Sequence, residues 1–128
     1  MDGPDKVAQI LAAGADAVVV GTLLLRSDEA GTSATHRAAL ADPRFTETTI
    51  TKAFTGRPAR GLRNAFVDAH EATSPFGYPA IHHLTRELRG QAAAAGDPDR
   101  VHLWAGTGYR SAEPKPAPDI VRTLLTRR

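Results

Sequence analysis

The sequence predicts an α/β fold, and three observations carry the prediction. Val7, Ile10, Leu11 and Gly14 recur at i, i+3, i+4 and i+7, the spacing of one helix face. Ala17-Val18-Val19-Val20 is a short continuous apolar run, rich in β-branched residues and closed by Gly21, which suits a strand buried on both faces, as in a parallel sheet. Beyond it the pattern is mostly helical. Helix, buried strand, Gly-Thr turn and helical tail is the order of the last βα unit of a (β/α)8 TIM barrel followed by an appendage. Residues 1–45 are therefore read as the terminal part of a barrel, and 46–128 as a mostly helical C-terminal region packing on it. A closed eight-stranded barrel needs roughly 250 residues. The 128 residues here are expected to be a C-terminal fragment of one.

The elements follow in order. Asp2 or Gly3 is placed to cap the first helix, with Pro4 in its first turn, and Gly14 ends it. Leu23-Leu24-Leu25 forms a second apolar run before the polar stretch 26–32. Thr32 or Ser33 caps a short helix through Leu40, stopped by Asp42-Pro43. The Thr-rich residues 46–54 favour an extended segment, while Gly56, Pro58 and Gly61 impose turns around Arg57, Arg60 and Arg63. Leu62 to His70 reads as helical, followed by a loop centred on Ser74-Pro75-Phe76-Gly77. Thr85 is an expected N-cap for a helix that runs through the alanines to Gly96. Asp97-Pro98 starts another short helix toward Trp104, broken at Gly106 and Gly108. Residues 112–118 are a proline-rich connector, and Ile120, Val121, Leu124 and Leu125 mark a last amphipathic helix.

Composition excludes several classes of function. There is no cysteine, so disulfides, thiolate metal sites and a cysteine nucleophile are ruled out. No apolar run approaches the length of a membrane span, and the first residues lack the pattern of a signal peptide, which makes the cytoplasm the expected location. The net charge of +2 rests on 13 arginines among 16 basic residues. They are scattered, are not interleaved with exposed aromatics and accompany no zinc-finger spacing, so nucleic acid is not an expected partner.

Chemistry concentrates at Gly21-Thr22, at the carboxyl end of the expected strand. Glycine lets backbone N–H groups approach an anion, a threonine hydroxyl adds a donor, and a following helix would aim its positive end at the same point. Barrel enzymes often hold phosphate between the loops after strands 7 and 8. An ordinary tight turn is the competing reading. Arg57 and Arg60, flanking Pro58, suit either an anion clamp or structural ion pairs, with the second preferred. His82 and His83 are adjacent and so diverge on a helix, which argues against a shared metal. His36 and His70 lack a carboxylate at diagnostic spacing, and His102 precedes Leu103-Trp104 in a packed segment; all three are read as structural. Gly106-Thr107-Gly108 is able to bring backbone near a ligand rim.

The segment Ala12-Ala13-Gly14-Ala15-Asp16-Ala17-Val18-Val19-Val20-Gly21-Thr22 resembles the closing βα signature of nitronate monooxygenases. The resemblance continues through Ser27-Asp28-Glu29-Ala30 and most specifically through the stretch from Thr51 to Asn64, with Thr55-Gly56-Arg57-Pro58-Ala59-Arg60 at its centre. Tyr78-Pro79, His82-His83 and Leu103-Trp104-Ala105-Gly106 are similar as well. Gly-Thr alone is equally similar to inosine-monophosphate dehydrogenases, dihydroorotate dehydrogenases and flavin-containing enoyl reductases; the long arginine-bearing stretch narrows the choice.

This resemblance implies that Val19, Val20, Gly21 and Thr22 hold the phosphate of flavin mononucleotide (FMN), making residues 1–45 part of a flavin-binding barrel. It implies an FMN-dependent oxidoreductase that oxidises alkyl nitronates with dioxygen, with a homo-oligomer as a possible assembly. It also implies that the family's catalytic histidine and a glycine-rich loop after strand 7 lie upstream of Met1. No catalytic residue or metal ligand is therefore assigned here, and the chain alone is expected to be truncated and inactive. The alternatives are a noncatalytic remnant, a structural partner that completes a barrel, or a small basic binding module unrelated to flavin.

Overall fold

The computed structural model describes residues 3–125. Its internal contacts divide the chain into two compact units, residues 3–32 with 106–125 and residues 33–105. Asp2, one of the two expected caps of the first helix, lies outside the described residues.

The first unit is built on two helices, α1 (Pro4–Ala12) and α6 (Ala117–Leu125). Pro4 occupies the first turn of α1, where a missing N–H costs nothing. Gly14 terminates it with φ 99°, and its amide donates to the Leu11 carbonyl at 3.0 Å. Val7 from α1, Leu23, and Ile120 and Leu124 from α6 make one apolar core, against which Val18, Val20 and Leu24 pack. α6 is capped from far away in sequence: the Glu29 carboxylate accepts the Ala117 amide at 2.7 Å.

The expected strand at 17–20 takes a different form. It pairs with no other segment among the described residues, and its burial alternates. Val18 and Val20 face the core, while Val19 is 94% exposed. A strand is made by its neighbours' hydrogen bonds, and no described segment offers an edge to this one. Period-2 burial means that the described residues cover one face of this segment.

The second unit carries a small two-stranded sheet. Strands β1 (Thr48–Thr51) and β2 (Ala59–Leu62) pair antiparallel, with Thr48 opposite Leu62 and Thr51 opposite Ala59. β2 corrects the reading of 56–61 as turns only. Gly61 is there because a third segment crosses it: a Cβ at this position would stand 2.7 Å from the Leu103 carbonyl oxygen. Leu62 donates to Leu103 O at 2.9 Å and Ala105 to Arg60 O at 3.1 Å, with Gly61 bridged to Trp104. Residues 101–105 thus run alongside β2, and the helix expected toward Trp104 is a single turn at Pro98–Arg100.

The second unit also holds four helices: α2 (Ala34–Ala41), α3 (Ala65–His70), α4 (Ala80–Leu84) and α5 (Arg86–Ala94). Ser33 caps α2 as expected, its hydroxyl accepting from the His36 amide. Asn64, not Leu62, opens α3. Its Oδ1 accepts from Val67 N, and its Nδ2 donates to the carbonyls of Pro98 and Val101 at 2.9 and 2.8 Å. Thr85 precedes α5 but does not cap it; its hydroxyl donates to the Phe54 carbonyl at 2.5 Å. Phe54, 1% exposed, centres the packing, stacked on Phe66 at 4.5 Å and edge-on to Trp104 at 6.0 Å.

Candidate functional site

Gly21 and Thr22 stand at the end of the 17–20 segment in the first unit. The backbone amides of Val18 through Leu23 donate to no acceptor among the described residues. Gly21 is exposed, and a Cβ built on it would meet nothing within 4 Å. A run of free donors beside open space is what an anion needs. The helix after the turn is one 3-10 turn, Thr22–Leu24, too short to aim an appreciable dipole. Any anion held here is therefore held by individual N–H groups and the hydroxyl.

Thr22 is the one polar side chain of the turn, and its Oγ1 accepts the Gly106 amide at 2.9 Å. A hydroxyl has one proton to donate and two lone pairs. With one lone pair occupied by Gly106, Thr22 keeps its proton for another acceptor. Of the four residues expected to hold phosphate, Val20 packs against the core beside Val18, the Val19 side chain is exposed, and Gly21 and Thr22 stand at the turn.

The other polar concentration lies in the second unit and went unread in the sequence. Arg89 is 6% exposed, yet no carboxylate pairs with it among the described residues. Its Nε donates to Thr85 Oγ1 at 3.1 Å, and one terminal nitrogen donates to the His82 carbonyl at 2.8 Å and reaches His82 Nδ1 at 3.2 Å. The other lies 3.4 and 3.3 Å from the two ring nitrogens of His102. Such near-equal distances place it between them, not along either lone pair. The only sequence signal was spacing: His82, Thr85 and Arg89 differ by three and four, one helix face.

This cluster keeps its histidines neutral. Burial first, then the charges of Arg89, His36 and His82, lower the His102 pKa to about 4. Desolvation, followed by Arg89, lowers His82 as well. His36 is lowered by burial, partly offset by a hydrogen bond with the Trp104 backbone, and its Nε2 is buried without a partner. Among the described residues no group of three or more His, Asp or Glu could hold a metal. Arg57 and Arg60 form no clamp: Arg57 lies over the Tyr78 ring, and Arg60 donates to Thr48 Oγ1 at 3.0 Å. No described helix is long and apolar enough to cross a membrane.

Comparison with known proteins gives this geometry its context. The nitronate monooxygenase family matches residues 1–127. The chain belongs to the nitronate monooxygenase family. It is 37% identical to a probable nitronate monooxygenase of Staphylococcus aureus strain Newman, over 98% of this chain and 36% of that protein. Among solved structures it superposes with a TM-score of 0.94 on a nitroalkane oxidase from Streptomyces ansochromogenes, at 48% identity over 97% of this chain and 36% of the other. FabK from Thermotoga maritima shares the fold alone, at 24% identity and a TM-score of 0.75. These structural neighbours are TIM-barrel oxidoreductases, and the present mixture of helices and a small sheet is consistent with part of such a barrel. The chain thus spans about a third of the length of the relatives it matches. Membership in the nitronate monooxygenase family carries a flavin as the class of cofactor.

Proposed function

We propose that this chain forms the phosphate-holding end of an FMN-dependent oxidoreductase that oxidises alkyl nitronates with dioxygen. The observation that supports the reading best is the row of free amides beside the exposed Gly21, with the Thr22 hydroxyl retaining its proton. In this reading the N–H groups of Val19, Val20 and Gly21 and the hydroxyl of Thr22 hold the FMN phosphate. FMN, when bound, supplies the redox chemistry between nitronate and dioxygen. In this reading residues 1–45 belong to the flavin-binding barrel and 46–128 to a mostly helical C-terminal region of the same protein.

No proton transfer is assigned to this chain's histidines. His82 and His102 lie against Arg89, whose positive charge opposes the imidazolium that either would become on accepting a proton. The residues present therefore bind and orient, and residues 1–128 alone are proposed to be inactive. A structural partner that completes a barrel is the second reading. It draws support from the unpaired 17–20 segment and from an apolar groove of about 430 Å³ lined by Val7, Leu11, Val18, Val20, Leu24 and Leu124.

The test combines binding with turnover. FMN should quench on binding, Gly21→Asp should abolish binding by placing a carboxylate where the phosphate sits, and Thr22→Val should weaken it by about 1 to 3 kcal/mol. Affinity unchanged by both substitutions would mean that the Gly-Thr turn is only structural. Nitronate-dependent oxygen consumption should be absent from residues 1–128 and present in a version extended upstream by about 200 residues, the balance of a barrel with its appendage. Saturable, FMN-dependent turnover by the short chain would overturn the proposed division of labour.

A further inference from the structure

We propose that Gly106 is a positioning residue for the flavin phosphate, acting through Thr22 across 84 positions of sequence. This rests on the reading of Gly21-Thr22 as the phosphate turn, and it adds a residue from the opposite end of the chain to that site.

A threonine hydroxyl rotates freely unless something fixes it. When its oxygen accepts the Gly106 N–H at 2.9 Å, its own proton cannot point back at that amide and is left for an acceptor on another side. A hydroxyl fixed in this way has lost its rotational entropy before the ligand arrives, which is preorganisation. Sterics explain the glycine: a Cβ on residue 106 would stand 3.2 Å from Thr22 Oγ1, closer than such contacts normally come.

The donor is itself held in place. The Gly106 carbonyl accepts from Tyr109 N at 3.2 Å, and Tyr109 is buried. Beyond it, the Ala112 carbonyl accepts from Arg26 at 3.0 Å, the Lys115 carbonyl accepts from the Asp28 amide at 3.2 Å, and Ala117 donates to Glu29. The stretch 106–117 is thereby fastened along 22–29 at four places, of which Gly106 to Thr22 is the first. The last three hold the backbone; the first holds a hydroxyl whose remaining proton no described group accepts.

The experiment titrates the full chain with FMN and with riboflavin, which lacks the phosphate, for wild type, Thr22→Val, Thr22→Ser, Gly106→Ala and the Thr22→Val/Gly106→Ala double variant. Gly106→Ala should weaken FMN about tenfold, the scale of one misplaced hydrogen bond to a charged group, and leave riboflavin unchanged. The double variant should be no weaker than Thr22→Val alone, because Gly106 acts only through the hydroxyl. Additive losses, or equal losses for riboflavin, would overturn the positioning role while leaving the phosphate turn intact. FMN affinity indifferent to Thr22→Val, or no FMN binding by wild type, would instead overturn the phosphate reading on which it rests. Should Gly106→Ala fail to fold, hydrogen exchange reads the same link. The Gly106 amide should be protected in wild type and Thr22→Ser, further so with FMN, and lose that protection in Thr22→Val. Equal exchange in all three refutes the proposal.

Discussion

The turn at Gly21-Thr22 and the cluster around Arg89 are both polar, yet they handle their hydrogen bonds in opposite ways. At the turn, backbone donors and a hydroxyl proton find no acceptor among the described residues, beside the exposed Gly21. Around Arg89, a buried guanidinium is met by a hydroxyl, a carbonyl and two imidazoles of its own unit. Leaving a donor unpaired is tolerable where water or a ligand reaches it, and costly where neither does. The contrast separates a surface built to bind from an interior built to hold. Substitutions in the first should change ligand affinity and spare stability, and substitutions in the second should do the reverse.

The largest effect expected belongs to the interior. Phe54→Ala removes a ring that is 1% exposed and stacks on Phe66, and should cost about 4 kcal/mol, read as a lowered urea midpoint. A loss under 1 kcal/mol would show that this core repacks freely.

Acid should act on the same region. Folding lowers His102 from 6.5 to about 4, so the unfolded chain binds its proton more readily. The sign follows: this contribution to stability is complete above pH 6.5 and is lost as pH falls toward 4. Part of the ring reaches solvent, which trims the effect to about 2 kcal/mol. Melting temperature measured between pH 7 and 4 should fall, and a flat profile would contradict the arrangement.

Arg89→Met sharpens the point by removing one cause of the shift while keeping most of the aliphatic volume. Thermal stability should drop by about 2 kcal/mol, because the His82 carbonyl loses its donor. The His102 titration, followed by NMR, should move up toward 6.5. An unmoved midpoint would show that burial alone holds this ring neutral.

The smallest effect belongs to the open segment. Val19→Ser replaces a side chain that is 94% exposed and should change stability by less than about 0.5 kcal/mol. It should also reduce self-association seen by light scattering, since it thins an exposed apolar edge. A large loss of stability would mean that Val19 is covered in solution.

The sequence by itself determined the elements whose causes are local. Pro4 and Gly14 bound α1, Ser33 caps α2, and the spacing of Ile120 and Leu124 marks α6, because caps, φ restrictions and helical periodicity act within a few residues. The family was legible for the same reason, from contiguous stretches, and its model matches residues 1–127. Tertiary structure decided the rest. Gly61 reads as a turn until the Leu103 carbonyl is seen against it, and Thr85 reads as a cap until the Phe54 carbonyl claims its hydroxyl. Arg89 gives no sign that it will be buried without a carboxylate, and Gly106 none that it will fasten Thr22. The partner of Thr85 lies 31 positions away and that of Thr22 84, while those of Arg89 lie within 13 but are brought to it only by folding; the energy of a hydrogen bond depends on that partner, not on the residue that awaits it.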